Sequence, residues 1–291
     1  MKTNRLKMLA ATLLLLMSAC SSNKPEADEL TWATFNVRYD NSGDGDNRWA
    51  QRKDRVCRFI KEQGFDVVGL QEVLHQQFLD LRAGLPGYSA VGVGRNDGAT
   101  QGEYAAIFYR SDSYELLESG NFWLSETPDS AGSKGWDAAD VRIVTWAKLK
   151  NKHTDRQLMA VNTHFDHIGV EARRRSAHLL LDSLRSRAAD IPVVVTGDFN
   201  VADSSEAYRL LTTDRFPLAD AHKVAAEVTG AAYTFHDFAR LPKAECEKID
   251  FIFVSPHFEV LRSEVVPENP DSLLSDHNPQ WVRMRLKPSA R

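Results

Sequence analysis

The chemistry-bearing residues of this 291-residue chain gather where apolar runs stop. The clearest case is IPVVVTGDFN, residues 191–200, in which Val193, Val194 and Val195 form a β-branched run that reads as a strand buried on both faces. Gly197 frees the backbone to turn, so the strand ends by offering a carboxylate, Asp198, and a carboxamide, Asn200. The two share a side if the extended geometry continues. A carboxylate that can take a proton from water, beside an amide that can hold that water, is hydrolytic equipment. A strand ending in Asp is equally an ordinary strand end with a turn former. Other strand ends or adjacent turns repeat the pattern with Asn36, Glu72, His164, Asp250 and the pair Asp276/His277. Singly, Glu72 reads as a solvated residue opening a helix and His164 as a satisfied core histidine. Together they form a set of carboxylates, amides and imidazoles without cysteine, an inventory that handles hard cations and phosphates.

The elements that must position these residues follow from periodicity. Residues 30–37 form the first strand. In the loop DNSGDGDNRW, Asp40, Asp44 and Gly45 loosely resemble a calcium loop, but Ser42 and Gln51 occupy ligand positions, so a polar turn is expected. Trp49, Val56, Phe59 and Ile60 recur at helical spacing, which assigns Arg52, Lys53, Arg55 and Arg58 to the opposite face, and Gly64 closes the helix. A strand over 65–70 runs into Gln71 and Glu72, and a helix follows over 75–85. GVGRNDG, after a third strand ending near Val91, has no helical pattern behind it and makes a poor dinucleotide site. Residues 104–109 and 114–122 read as a hairpin around Ser111-Asp112. The loop over 124–140 is long enough to be either functional or disordered. Arg142 opens a strand over 143–150, and its partner over 157–161 leads into NTHFDH. A helix follows with an apolar side of Val170, Ala177, Leu180, Leu184 and Ala188. The last strands are expected over 249–254 and 280–286.

Residues 1–20 read as a leader: Lys2, Arg5 and Lys7 precede the apolar run 9–17, and Ser18-Ala19 leads into Cys20. That arrangement resembles a bacterial lipoprotein signal with Cys20 as the lipidated residue, an uncleaved anchor or plain signal peptide being the alternatives. Residues 21–29 read as a polar tether, and 30–291 as one domain without a second linker or internal repeat. Removing 1–20 deletes three positive charges and moves the formal charge from -4 to -7. A mildly acidic surface argues against affinity built on many phosphate contacts, so nucleic acid is not the favoured partner. Cys57 and Cys246 are the other cysteines; Cys57 lies in the amphipathic segment and reads as a buried thiol, and a disulfide between the two is open.

Six motifs in order, TFNVRYD, VGLQEV, NTHFDH, GDFN, IDFIFVS and SDHNP, resemble the endonuclease/exonuclease/phosphatase superfamily with the deoxyribonuclease-like fold. The resemblance spans residues 30–286, and the segments DNSGDGDNRW, SKGWDAAD and NTHFDHIGVEARR look like a bacterial extracytoplasmic branch of metal-dependent hydrolases. It implies an α/β four-layer sandwich of two face-to-face mixed sheets flanked by helices. It also implies that Glu72, with Asn36 beside it and Asp276 nearby, ligates Mg²⁺ or Mn²⁺. Asp198 would activate the attacking water and Asn200 would fix it. His277 would contact the phosphoryl oxygens with Asp250 setting its tautomer, and His164 and Arg142 would bind the non-bridging oxygens. The expected enzyme is a monomeric phosphodiesterase or phosphomonoesterase of the cell envelope, lipid-anchored, on a small or lipid-borne phosphoester. An extracellular nuclease and a non-catalytic binding lipoprotein on the same fold are the alternatives. Ser275-Asp276-His277 spells a hydrolase triad, but neighbours on an extended chain point apart and no G-x-S-x-G is present, so a serine hydrolase is disfavoured.

Overall fold

A computed structural model describes residues 29–288 apart from 189 and 215. The expected leader, Cys20 and nearly all of the expected tether lie outside the described residues. In chain order the elements begin with β1 (Glu29–Asn36), α1 (Trp49–Gln63), β2 (Val67–Val73), α2 (His75–Gly84), β3 (Tyr88–Val91) and β4 (Tyr104–Arg110). They continue with β5 (Tyr114–Trp123), β6 (Ile143–Asn151), β7 (Gln157–His164), α3 (Val170–Arg187), β8 (Val193–Asp198) and α4 (Glu206–Thr213). The chain closes with β9 (Ala219–Asp220), α5 (Ala221–Val224), β10 (Glu227–Gly230), β11 (Asp250–Val254), β12 (Phe258–Val265) and β13 (Gln280–Leu286).

Two sheets carry these strands, a seven-stranded one in the order β10-β12-β13-β1-β2-β4-β3 and a six-stranded one in the order β5-β6-β7-β8-β11-β9. Strand alternation sorts the core into three apolar layers. Val194, Trp32, Val67, Leu158, Ile252 and Met284 fill the space between the sheets. Val193 and Val195 point the other way, onto Leu180, Leu181 and Leu184 of α3 and Leu211 of α4. Ala33, Phe35, Val68 and Leu70 pack under Val56 and Ile60 of α1 and Phe78 and Leu81 of α2. Helix, sheet, sheet, helix is the four-layer sandwich, and it explains why the valine run is apolar without alternation.

A polar network crosses the central layer. Asn162 on β7 donates to the carbonyls of Leu70 and Ala106 in the facing sheet, both at 2.9 Å, and its Oδ1 accepts from Gln71 Nε2 at 2.7 Å and Thr196 Oγ1 at 3.0 Å. Gly69 makes room for it: a Cβ there would collide with Thr196 Oγ1 and lie 2.6 Å from Asn162 Oδ1. With both ends of the Asn162 amide paired and only Gln71 Oε1 left without a partner, this network holds the two sheets in one register.

Several local expectations are corrected. β4 and β5 are not a hairpin, because they belong to different sheets. Ser111-Asp112 lies at the step from one sheet to the other, which periodicity within each strand cannot distinguish from a hairpin turn. Glu29, expected in the tether, belongs to β1 and pairs with Arg285 at 2.8 Å. Val170, expected on the apolar side of its helix, is 69% exposed because it sits in the first turn, ahead of the packed stretch. The polar loop contains a short 3₁₀ segment, Ser42–Asn47, with Asp44 buried against Arg38. Cys57 is buried as a free thiol and Cys246 is free as well.

Arg52 is the largest correction. Assigned to the polar face, it is fully buried and donates to the carbonyl oxygens of Asn47, Val37, Leu274 and Arg38. Burial pulls its guanidinium down to about 10, still charged at neutral pH, with Asp276 and Asp44 opposing that fall. The side chain thereby ties the end of β1 to the segment that carries Asp276 and His277. Arg52→Met keeps the volume and strands these carbonyls, so we expect a loss of about 3 kcal/mol or more, read as a melting temperature lower by roughly 6–12 °C. An unchanged melting temperature would show that solvent replaces the guanidinium at no cost.

Candidate active site

Strand register assembles the site. β1 and β2 run parallel with Asn36 beside Gln71, which places Glu72 at the same rim. β7 and β8 run parallel with His164 beside Asp198, and β11 runs antiparallel to β8 with Asp250 directly opposite Asp198. β13 is antiparallel to β1, so the residues just before Gln280 enter at that rim too. The cleft there has a volume of about 720 Å³, and its lining includes Glu72, Arg142, His164, Asp198, Asn200, Asp276 and His277. Asn36 and Asp250 stand directly behind that lining, hydrogen-bonded to it. All of the residues singled out in the folded region therefore converge on one cleft.

The backbone is strained where it delivers them. Arg38, Glu72 and Asn200 have φ of 56°, 59° and 50°, a left-handed conformation that bulky residues adopt at a cost. Extended geometry thus does not continue from Asp198 to Asn200. The chain instead curls so that Asn200 N–H donates to Asp198 Oδ1 at 3.0 Å and Asn200 Nδ2 reaches His164 Nε2 at 3.0 Å.

Asp198, Asp250 and His277 form a buried triangle. His277 Nδ1 bonds Asp250 Oδ2 at 2.8 Å, and its Nε2 lies 3.7 Å from Asp198 Oδ2. Burial alone would lower the imidazole, but Asp250, Asp198 and Asp276 around it push it up to about 10, so it carries a proton at neutral pH. Burial pushes Asp198 up to about 7, with Asp250 adding and His277, Asn36 and the Asn200 amide opposing. Asp198 Oδ2 is faced by Asn36 Nδ2 at 3.0 Å, His164 Nε2 at 3.6 Å and His277 Nε2 at 3.7 Å. His164 differs: burial and the nearby Arg142 and Arg95 hold it well below the usual imidazole range, so it is neutral. Since its Nε2 accepts from Asn200, its proton belongs on Nδ1, a buried atom without a hydrogen-bond partner.

The opposite corner is acidic. Glu72 accepts from Asn36 Nδ2 and from the Tyr39 amide, both at 3.0 Å, and Arg38 lies 3.9 Å from Glu72 and 3.6 Å from Asp276. Burial raises Asp276 to about 6; Glu72 adds to the rise, while His277 and Arg38 oppose it. Two carboxylates flanking one guanidinium offer hard oxygen donors that suit a divalent ion, while Asn36 turns its Nδ2 to Glu72. Among the described residues, two other clusters each bring three His or carboxylate donors within 4.8 Å of one another, Asp198/Asp250/His277 and Asp140/Asp166/His167. In the first His277 Nδ1 and Asp250 Oδ2 are spent on each other at 2.8 Å, and Asp198 Oδ2 accepts from Asn36 at 3.0 Å. In the second Asp166 is already filled by the backbone N–H groups of Ala139, Asp140, Ile168 and Gly169 and by Arg142. The Glu72–Asp276 corner therefore fits the ion best.

Ser275 is no nucleophile, because its single hydroxyl proton is held by the carbonyl of Asn36 at 2.7 Å, with Asp276 Oδ1 a competing acceptor at 3.1 Å and, among the described residues, no imidazole to take it. The sequence reading missed Arg38, Arg95 and Glu103. Arg38 stands inside TFNVRYD and Arg95 inside GVGRNDG. Arg95 had a signal: GVGRNDG follows β3, and the paired strand β4 brings Glu103 back to it, with Arg95 Nη1 to Glu103 Oε2 at 2.8 Å.

The model of the Endonuclease/Exonuclease/phosphatase family matches residues 33–277. The chain belongs to that family. It is thereby an enzyme of the class of hydrolases that act on phosphoesters. Its fold matches the endonuclease/exonuclease/phosphatase from Bacteroides vulgatus with a TM-score of 0.88 and 59% identity, covering 89% of this chain and 99% of that one. A mannosyl-6-phosphatase from Bacteroides thetaiotaomicron matches with a TM-score of 0.82 and 37% identity, covering 88% and 99%. Nocturnin of Xenopus laevis is 26% identical over 72% of this chain. The chain spans 55% of the length of that nocturnin and 60% of a mimivirus relative.

Proposed function

We propose that the chain hydrolyses phosphate esters of small polar molecules, phosphomonoesters first, with a divalent ion of the Mg²⁺ or Mn²⁺ kind. The observation that carries this reading is the Asp198–His277–Asp250 triangle facing a cleft whose other corner is Glu72 and Asp276. Asp198, near neutral in its titration, holds and takes the proton of the attacking water. Asn200, bonded to both Asp198 and His164, fixes that water. The protonated His277 Nε2 donates to a phosphoryl oxygen while Asp250 keeps the ring oriented. His164 Nδ1–H and Arg142 donate to the other oxygens as in-line displacement shifts charge onto them. Glu72 and Asp276 would hold the ion, with Asn36 orienting Glu72 through its Nδ2 rather than ligating, and the ion would supply charge neutralisation at the phosphate. The mannosyl-6-phosphatase at 37% identity supports a monoester on a sugar-like alcohol as the first substrate to try.

The test is a screen of the full chain against sugar phosphates, p-nitrophenyl phosphate, bis(p-nitrophenyl) phosphate and single-stranded DNA, with Mg²⁺ or Mn²⁺ and with chelator. Turnover of a monoester that stops with chelator and returns with metal is expected. Diester or DNA cleavage alone would reverse the substrate ranking, and full activity after prolonged chelation would overturn the metal.

We also propose that residues 1–20 direct the chain out of the cytoplasm, that Cys20 carries the lipid, and that residues from about 30 onward form the hydrolase domain of a monomer. The basic start, short apolar run and Ser18-Ala19 before Cys20 support this. Wild type is expected in the membrane fraction and Cys20→Ala unprocessed or released. Identical processing and fractionation of the two would refute lipidation.

A further inference from the structure

On one wall of the cleft the two phosphoryl donors, Arg142 and His164, are joined by a further cation, Arg95, that the hydrolytic scheme leaves unused. Arg142, on the strand-opening segment before β6, spends Nε on Asp166 and Nη2 on His167 Nδ1 at 3.0 Å, while its Nη1 is buried without a hydrogen-bond partner. Arg142 is only 4% exposed. His164 Nδ1 is a second buried donor without a partner, and both residues line the main cleft together with Arg95 and Glu103, the recess behind them being only about 10 Å³ and too small for a phosphate. Two buried donors lacking acceptors on one wall are costly unless a ligand in the cleft draws them out.

Asp140 lines the same wall of the cleft. Its Oδ2 lies 3.9 Å from Arg95 Nη2, 3.8 Å from Arg142 Nη2 and 3.8 Å from His167 Nδ1. These separations are too long for hydrogen bonds, and His167 Nδ1 already accepts from Arg142, so the carboxylate is attracted to the two guanidinium groups and bonded to neither. Its side chain is 46% exposed, and it ends the long loop that follows β5. Arg95 and Arg142 also lie close enough for each charge to work against the other. A tetrahedral dianion, with more oxygens than a carboxylate, would satisfy what Asp140 only approaches.

We propose that Arg95, Arg142 and His164 form a seat for the terminal oxygens of a phosphomonoester, and that Asp140 is the internal anion that leaves it when substrate enters. The proposal rests on the phosphoester reading above and deepens it. A diester lacks the second terminal charge, so the seat selects monoesters. Arg95 enters here as a specificity residue, tied to the reacting end through Glu103, whose Oε2 is 2.8 Å from Arg95 and 3.8 Å from His164 Nδ1.

The experiment uses the metal-loaded full chain with Arg95→Gln, Arg95→Lys and Asp140→Asn. Arg95→Gln is expected to raise KM for p-nitrophenyl phosphate and the inhibition constant of inorganic phosphate about tenfold or more, with bis(p-nitrophenyl) phosphate changed less than about threefold. Arg95→Lys should recover part of the loss, which a merely structural role would not predict. Asp140→Asn should tighten inorganic phosphate by roughly three- to tenfold, because the competing charge is gone. Equal losses on monoester and diester, or weaker phosphate binding in Asp140→Asn, would overturn the seat. Calorimetric titration with inorganic phosphate separates the two claims. If the wild type hydrolyses neither ester but phosphate affinity follows these variants, the hydrolase reading fails and the anion seat stands.

Discussion

Glu72→Gln is expected to remove most of the metal-dependent rate while leaving the fold in place. Gln is isosteric, so the cleft keeps its shape, and one of the two bonds from Asn36 Nδ2 and the Tyr39 amide survives. What disappears is a full negative charge at the corner where Glu72 and Asp276 stand with Arg38 as the resident cation. With the charge of Glu72 gone, Arg38 and Asp276 form a near-neutral pair and the corner loses most of its pull on a divalent ion. We expect kcat/KM to fall about 10²-fold or more at fixed metal, with the metal concentration for half-maximal activity rising at least about tenfold. Raising Mg²⁺ or Mn²⁺ should recover part of the loss. The melting temperature without metal should be unchanged or higher, since two crowded carboxylates become one. A variant with wild-type metal dependence and a lower kcat would move Glu72 out of the ion's ligand set.

The ends of strands were legible in the sequence because buried strands announce themselves as apolar runs and the polar residue that ends each run is visible beside it. The run 193–195 needed no partner to be read, being apolar on both faces. Which ends meet was not legible. That Asp250 falls opposite Asp198 depends on β11 running antiparallel to β8 in one particular register, a relation between residues 52 apart in the chain. The resemblance supplied the convergence; periodicity alone did not. Arg52 was misread for a different reason. Helical periodicity separates polar from apolar, but a guanidinium that finds carbonyl acceptors all round it can be buried, and those acceptors come from loops with no pattern of their own. The left-handed backbone at Glu72 and Asn200 was equally hidden, because neither is a glycine and the strain is imposed by the surrounding structure.

Asp198→Asn and His277→Ala should each lower kcat/KM severely, by about 10²–10⁴-fold for the loss of the base and about 10²–10³-fold for the loss of the phosphoryl donor. The double variant should be far less impaired than the product of the single losses, because both groups act on one transition state. The triangle adds a stability arm with opposite signs. Asp198 and Asp250 face each other across paired strands with the protonated His277 between them. Removing His277 leaves Asp250 unpaired, drives Asp198 further above about 7 so that it must take a proton at neutral pH, and loses the ring contact with Phe235, so His277→Ala should lower the melting temperature. Asp198→Asn removes one of the two charges and keeps the His277–Asp250 bond, so its melting temperature should hold or rise. In the double variant only Asp250 remains charged, and the destabilisation seen in His277→Ala should be partly relieved, a coupling of about 0.5–3 kcal/mol. Rates that multiply would show that the two groups serve different steps. Melting temperatures that simply add would show that Asp198 carries no charge in the folded protein, leaving the water held by Asn200 without its base.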